Sequence, residues 1–426
     1  MNIMIFNENV WSNHIASGNT LSNFFDGNAF KNDHFYNIYM RESIPDNDVC
    51  KNYYRMTLLD MIKNNFTKEK IGEKIIISNG SQKNNRKAFN ERKYIDFIHK
   101  YSMKSIYNFA NGVYRKKKWL NKSFKKYIEE SKPDIFFAFL TNVSILKPIC
   151  EYIHCNTRAK IVLYVADDIY DTYNSKKGIT RKKLKKEFSE VVDIADKIYG
   201  ITDELCNEYS KIFNKKIDLL YKGCTFEYPV KNNINNVIRF VYAGNLFYGR
   251  DEILSKVANA IDKNNSNNSQ KAILEIYTGA TITDELMKKL NIGNSSVIKG
   301  KKDYNEIKKI MNNAEYNLEV ESFEHNQIKY VKYSFSTKII DCLQSGSASI
   351  AIGPSVISSI KYMKKIPGVF VIESINDIET EIVKLINNKN EILKNAISTR
   401  EYAINNHDIN KNQAKIRQDF INLIKE

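Results

Sequence analysis

The chain has 426 residues, 42% hydrophobic and 27% charged, with only 16 glycines and 6 prolines. That composition excludes a disordered scaffold and a collagen-like or linker-dominated chain, and the length allows two or three cored domains. Lys and Arg number 65 against 49 Asp and Glu, a formal net charge of +16; such a field favours phosphorylated substrates, polyanions or anionic headgroups without choosing among them.

The opening MNIMIF, residues 1–6, reads as a short buried strand with turn residues behind it. It has no basic region ahead of a long apolar run, so it does not read as a signal peptide. A loop follows and leads into LSNFFDG. Residues 94–130 look helical, and Lys132-Pro133-Asp134 breaks that helix ahead of the strand at 135–140. A helix from Ile145 precedes a strand at 160–166, with Asp167 and Asp168 at its end. Residues 180–198 read as a basic amphipathic helix and 199–202 as a short strand, and 218–223 closes the first half.

The alternation then starts afresh. VIRFVYAG (237–244) is a strand ending in glycine, 253–263 is a helix, and the Asn/Ser run over 264–269 is a loop. Strands follow at 272–279, 296–300, 316–320 and 347–353, with helices at 282–290, 304–314 and 336–346 between them, the last closed by Gly346. Alternation of this kind means parallel sheets with helices on both faces. The fold class is α/β, with a first domain over 1–230, a low-apolarity linker at 227–236, a second domain over 237–400 and a helical tail over 401–426 expected to pack back on the first domain. The longest apolar runs are strand-sized, far short of the ~20 residues of a spanning helix. The six scattered cysteines form no CxxC pair, which fits a reducing compartment and a cytoplasmic protein.

Ligands of open parallel sheets bind beyond the carboxyl ends of strands. In YAGNLFYGRDEILSKVANAI a strand ends at Gly244, and Arg250 opens a helix, so the helix N-terminus and the guanidinium present donors to a phosphate. An ordinary βα turn with a solvated arginine meets the same pattern. In YSFSTKIIDCLQSG, Ser334 or Ser336 is placed to cap a helix with Thr337 and Lys338 in its first turn and Asp341 one turn on. A cation in a first turn opposes the macrodipole unless an anion sits there. An exposed lysine on a capped helix is the plainer reading. The six histidines form no HxxxH or HxH pair, and His14 is the one that falls in the N-terminal loop region.

These segments make the second half resemble the donor domain of retaining glycosyltransferases of the family 4 type. The run Gly244-Asn245-Leu246-Phe247-Tyr248-Gly249-Arg250 is similar to the family's glycine loop, with Arg250 in place of its diphosphate-binding lysine. Ile340-Asp341-Cys342-Leu343-Gln344-Ser345-Gly346 is similar to its L-E-A-M-A-S-G helix, which puts Asp341 at the ribose-binding acid. Ser336, Thr337 and Lys338 stand where the family meets the diphosphate. The family's first glutamate falls on Tyr333, and Glu319, Glu321 and Glu324 are out of register with it. In the first half, Gly18, Asn19 and Thr20 are similar to the family's N-terminal glycine loop.

The resemblance implies two Rossmann-like domains facing a cleft (GT-B architecture) and a nucleotide-sugar donor such as a UDP-sugar. It also implies a saccharide or lipid-linked acceptor and hexosyl transfer with retention in capsule, lipopolysaccharide or exopolysaccharide assembly. Neither a metal nor a cofactor is implied. Arg250 and Lys338 would stabilise the departing diphosphate, and Asp167 or Asp168 would orient acceptor or sugar, unless they merely cap a helix. Adjacent rather than alternate, that acidic pair is a poor metal motif.

Basic stretches at 114–119, 122–127 and 181–188 interleave aromatic residues with lysines, as in helices that lie on anionic membrane surfaces. A solvated charged face reads equally well. Two rivals remain: a nucleotide-sugar 2-epimerase of the same architecture and a non-enzymatic nucleic-acid-binding protein. No aromatic stacking platform or recognised module favours the latter, so no nucleic-acid partner is expected.

Overall fold

A computed structural model describes residues 1–13, 16–41, 43, 45–66, 72–76, 103–173, 176 and 178–426. The chain divides into two compact units: Met1–Leu220 with Asn410–Glu426, and Tyr221–Ile409.

Among the described residues of unit 1, eight strands form one sheet: β1 (Asn2–Phe6), β2 (His34–Tyr39), β3 (Asn52–Arg55), β4 (Glu73–Ile76), β5 (Ile135–Phe139), β6 (Lys160–Val165), β7 (Lys197–Gly200) and β8 (Asp218–Leu219). Their order is β4-β3-β2-β1-β5-β6-β7-β8, and only β3–β4 is antiparallel. β5, Ile-Phe-Phe-Ala-Phe, is buried along its whole length, because helices cover both faces of a parallel sheet. Phe24, Phe25, Phe137 and Tyr164 pack there with ring centroids 5.1–6.5 Å apart. The helix Ile409–Lys425 belongs to this core: Phe420 meets Phe25 and Phe30, Arg417 Nε donates to Asp33 at 2.9 Å, and Tyr199 Oη donates to Asp419 at 2.6 Å.

The helix expected over 94–130 is two helices, Met103–Arg115 and Lys122–Ser131; residues 94–102 lie outside the described residues. Between them the chain turns through Lys117, at φ 53°. The turn buries Trp119 completely, and its indole N–H donates to Tyr114 O at 2.8 Å. Burying that large ring outweighs the helical continuity the sequence suggests.

Unit 2 holds β9 (Ile238–Ala243), β10 (Ala272–Tyr277), β11 (Ser296–Ile298), β12 (Tyr316–Val320), β13 (Ala348–Ile352) and β14 (Val369–Ile372), all parallel. The order β11-β10-β9-β12-β13-β14 is the 3-2-1-4-5-6 order of the Rossmann fold. The helix Arg250–Asn267 packs Ile253, Leu254, Val257, Ala258 and Ile261 on the sheet, one stripe at helical spacing. It runs through 264–267, expected as loop, because Asn264 Nδ2 bonds Gln270 O and Asn265 Nδ2 bonds Ala272 O, turning polar residues into ties to the next strand. The stretch 227–236 is not a free linker. Lys231 and Glu315 form a buried ion pair at 3.0 Å, and Glu315 also accepts from the amides of Asn235 and Arg239.

His407 is buried between Tyr362 Oη and the Lys222 carbonyl. Burial pushes its pKa down to about 4 from 6.5. The unfolded chain therefore binds the extra proton between those values. Stability is full above about pH 6.5, falls as pH drops through the window, and levels off near pH 4. Over that window the loss is about 3 kcal/mol. Urea unfolding of wild type should lose about that much more than His407→Gln on acidification; parallel slopes would show that His407 does not titrate in this way.

Candidate functional site

In unit 2 the strand order reverses between β9 and β12. Their ladder is short, pairing only Tyr316 with Phe240 and Asn317 with Val241. The two strands stop pairing well before their carboxyl ends, where a switch point offers room for a ligand.

Four sequence-predicted residues, Arg250, Asn245, Lys338 and Ser336, come together at this point. Arg250 is the first residue of its helix and is only 6% exposed. Its guanidinium grips Glu321 with Nη2 at 2.7 Å from Oε1 and Nε at 3.2 Å from Oε2. Nη1 donates to Asn245 Oδ1 at 2.7 Å, and Nε also reaches Val320 O at 3.1 Å. Lys338 Nζ lies 3.3 Å from Glu319 Oε2 and donates to Ser336 Oγ at 2.9 Å; the Ser336 hydroxyl donates in turn to Glu319 Oε2 at 2.9 Å. Glu319 and Glu321 are both buried.

Two glycines make the approach possible. A Cβ on Gly244 would stand 2.9 Å from Lys338 Cδ and 3.0 Å from Tyr242 Oη. Gly249 has φ 73°, and its Cβ would stand 2.8 Å from Ser322 Oγ, so glycine alone suits the turn into the helix.

The charges shape one another. Burial first, then the Glu319 carboxylate, push the Glu321 carboxyl above the ordinary carboxylate range, against the pull of Arg250. Burial works against the charged forms of Arg250 and Lys338, but the carboxylates overcome it. Glu321 lifts the Arg250 pKa, and Glu319 lifts that of Lys338.

The helix Lys338–Ser345 has Thr337 at its N-cap, with no side-chain capping bond. The expected Ser334 or Ser336 cap is not formed; Ser336 is spent on Glu319 and Lys338. Asp341 accepts from Tyr304 Oη at 2.8 Å and from Gln344 Nε2 at 3.1 Å. Burial holds its carboxyl above the ordinary range, with Lys222 pulling the other way.

In unit 1, Asp167 is exposed at the end of β6. Asp168 caps the short helix Ile169–Thr172, accepting from Asp171 N at 3.1 Å and Tyr209 Oη at 2.9 Å. Burial raises its pKa. Gly18, Asn19 and Thr20 are not in a loop. They lie in the helix Ala16–Phe25, and a Cβ on Gly18 would fall 2.1 Å from Ser12 O. The glycine lets the segment after β1 press on the helix, which is a packing role. His14 lies outside the described residues. The reversal between β1 and β5 adjoins a pocket of about 560 Å³ whose lining includes Glu8, Arg41, Thr141, Asn142 and Lys176. Thr141 Oγ1 donates to Glu8 Oε1 at 3.1 Å there.

The basic stretches keep their lysines outward, but Trp119, Tyr127 and Phe188 are buried in unit 1. Those aromatics are core residues and are not on offer to a bilayer. Among the described residues, no helix is long and apolar enough to cross a membrane and no group of His, Cys, Asp and Glu is placed to hold a metal ion.

Sequence reasoning sets Glu319 and Glu321 aside as out of register with the family's first glutamate. Their signal is two acids two residues apart at the carboxyl end of β12, which puts both on one face.

No protein-family model matches the chain, and no curated protein matches it by sequence. Solved structures do match. Sucrose-phosphate synthase from Thermosynechococcus elongatus superposes with a TM-score of 0.64 at 11% identity, covering 99% of both chains. WaaG, a glycosyltransferase involved in lipopolysaccharide biosynthesis, gives 0.60 at 10%, covering 98% of this chain and 99% of that one. S. aureus TarM, solved with UDP and alpha-GlcNAc-glycerol, gives 0.52 at 14%, with 71% of this chain covered; the match spans 58% of TarM's length. At such identities the likeness shows the fold, two Rossmann-like domains of the GT-B glycosyltransferase type.

The buried pairing changes what an Arg250 substitution does. As the solvated arginine of an ordinary βα turn, Arg250 could be lost without harm to the fold. In the structure, Arg250→Ala strands a buried carboxylate and should cost about 3–5 kcal/mol. Arg250→Ala with Glu321→Ala should recover much of that stability. Thermal and urea unfolding of the single and double variants check this; an Arg250→Ala protein as stable as wild type would contradict the pairing.

Proposed function

We propose that the protein is a glycosyltransferase that moves a hexosyl group from a nucleoside-diphosphate sugar, such as a UDP-sugar, to a saccharide or lipid-linked acceptor. The observation that carries this reading is the placement of Arg250 and Lys338 at the β9–β12 switch point of a GT-B fold. Departure of a nucleoside diphosphate develops negative charge on its phosphates. Two fixed cations and the N-terminus of the Lys338–Ser345 helix stabilise that charge electrostatically. The mechanism needs no metal for this, and it proceeds with retention if the acceptor attacks from the leaving-group side. Asp341 takes the ribose hydroxyls in exchange for its bonds to Tyr304 and Gln344. The pocket of unit 1 takes the acceptor, with Glu8, Thr141 and Asn142 offering hydrogen-bonding partners and Asp167 at the end of β6.

The likeness to WaaG supports a place in surface polysaccharide synthesis, and the UDP in TarM supports a nucleotide donor. The outward lysines of unit 1 support attachment to an anionic membrane face. That attachment is electrostatic, since the aromatic side chains beside them are buried.

Incubation with labelled nucleotide-sugars, with and without lipid-linked acceptors, tests the activity; a protein that binds no nucleotide-sugar in a thermal-shift screen is not a transferase of this kind. Asp341→Ala should raise KM for the donor about tenfold or more and leave kcat nearly unchanged, since a ribose contact acts alike in ground and transition states. A fall confined to kcat would remove Asp341 from the donor site. Changing Lys116, Lys118, Lys182, Lys183 and Lys186 to Gln should abolish co-sedimentation with anionic vesicles at physiological salt, each lysine near the surface being worth about 1 kcal/mol. Wild type that fails to bind such vesicles at low salt would rule the membrane out.

A further inference from the structure

The proposed donor site is already neutral before any ligand arrives. Arg250 and Lys338 carry two positive charges, and Glu319 and Glu321 carry two negative ones, all within direct bonding distance. Around these four side chains stand Tyr242 from β9, Asn245 from the loop, Ser336 ahead of the helix and Cys342 within it, a thiol that burial and Glu319 keep protonated, while Asp341, which faces Lys338, is met by Lys222. A nucleoside-diphosphate sugar adds two more negative charges. Burial strengthens every repulsion among them, and like charges this close favour neutralising one carboxylate.

Two observations show where a proton would go. Glu319 Oε1 is buried with no hydrogen-bond partner among the described residues, so it offers an open position for one. Glu321 is already displaced toward its neutral form. The cations would stay in place when a carboxylate lets go. Arg250 keeps Asn245 Oδ1 and Val320 O, and Lys338 keeps Ser336 Oγ.

We propose that Glu319 and Glu321 are positioning residues that hold Lys338 and Arg250 at the switch point, and that the pair takes up one proton from solvent when a nucleoside-diphosphate sugar binds. The inference rests on the donor-site reading above. In this structure the carboxylates hold the cations as phosphate oxygens would. On binding, one becomes a carboxylic acid, and the cation it held turns to the diphosphate. Donor affinity therefore rises as pH falls.

Calorimetric titration of the full chain tests this, with UDP-glucose and GDP-mannose as probes, in buffers of differing ionisation enthalpy. These diphosphate diesters do not themselves titrate near neutral pH. Wild type should take up protons when it binds a donor, and affinity should rise as pH falls, by at most about tenfold per pH unit for one proton. Glu321→Gln should lose the uptake and bind with nearly pH-independent affinity. Glu319→Gln serves as the parallel variant if the first proves unstable. Wild type that binds a probe without proton uptake overturns this inference and leaves the donor site standing. Uptake unchanged in both variants overturns it too, by placing the proton elsewhere. Wild type that binds neither probe overturns the UDP- or GDP-sugar reading and this inference together.

Discussion

The buried pair of Arg250 and Glu321 is the interaction on which the geometry of unit 2's switch point depends. A carboxylate beyond the end of an apolar strand is costly unless a cation meets it with good geometry. Arg250 does so with two nitrogens, and it reaches Glu321 only because the preceding turn passes through Gly249 in a left-handed conformation. The pair ties the first residue of the helix to the end of β12, and Lys338 lies across Gly244, where a Cβ would stand 2.9 Å from its Cδ. One ion pair, two glycines and a lysine form a single constraint. The same groups that a diphosphate would use are those that hold the empty site together.

Much of this fold was legible because parallel strands are buried on both faces and read as unbroken apolar runs. Ile135–Leu140 announces itself in that way, and Val237–Gly244 does so but for Arg239. The helical stripe at Ile253, Leu254, Val257 and Ile261 does so by its spacing. Residues 264–267 read as a loop because asparagine and serine usually signal one, whereas here Asn264 and Asn265 tie the helix to Gln270 and Ala272 at the start of β10. Gly18 shows the opposite trap. Its likeness to the family's N-terminal glycine loop suggests a loop, yet it lies in a helix, where its missing side chain makes way for Ser12.

The candidate site was half legible for an equally physical reason. Gly244, Arg250 and Lys338 sit in local segments whose spacing carries the information. Glu319 and Glu321 lie some 70 residues from Arg250 in sequence, and nothing local reveals that a cation will be waiting for them. An acidic residue in a strand reads as solvent-facing until tertiary structure supplies its partner. The missing cap on the Lys338–Ser345 helix belongs to the same class of event: Ser336 had a local use, and a distant carboxylate outbid it.

The helix Ile409–Lys425 packs in unit 1 although the whole of unit 2 separates it in sequence from the rest of that unit. Synthesis runs from the N-terminus at roughly 5–20 residues per second. Unit 2 therefore leaves the ribosome as a finished sequence before unit 1 has all of its parts. For that interval Phe25 and Phe30 lack Phe420, and Asp33 lacks Arg417. The unit encoded first is completed second, and during translation its unfinished core is the surface most in need of a chaperone's cover.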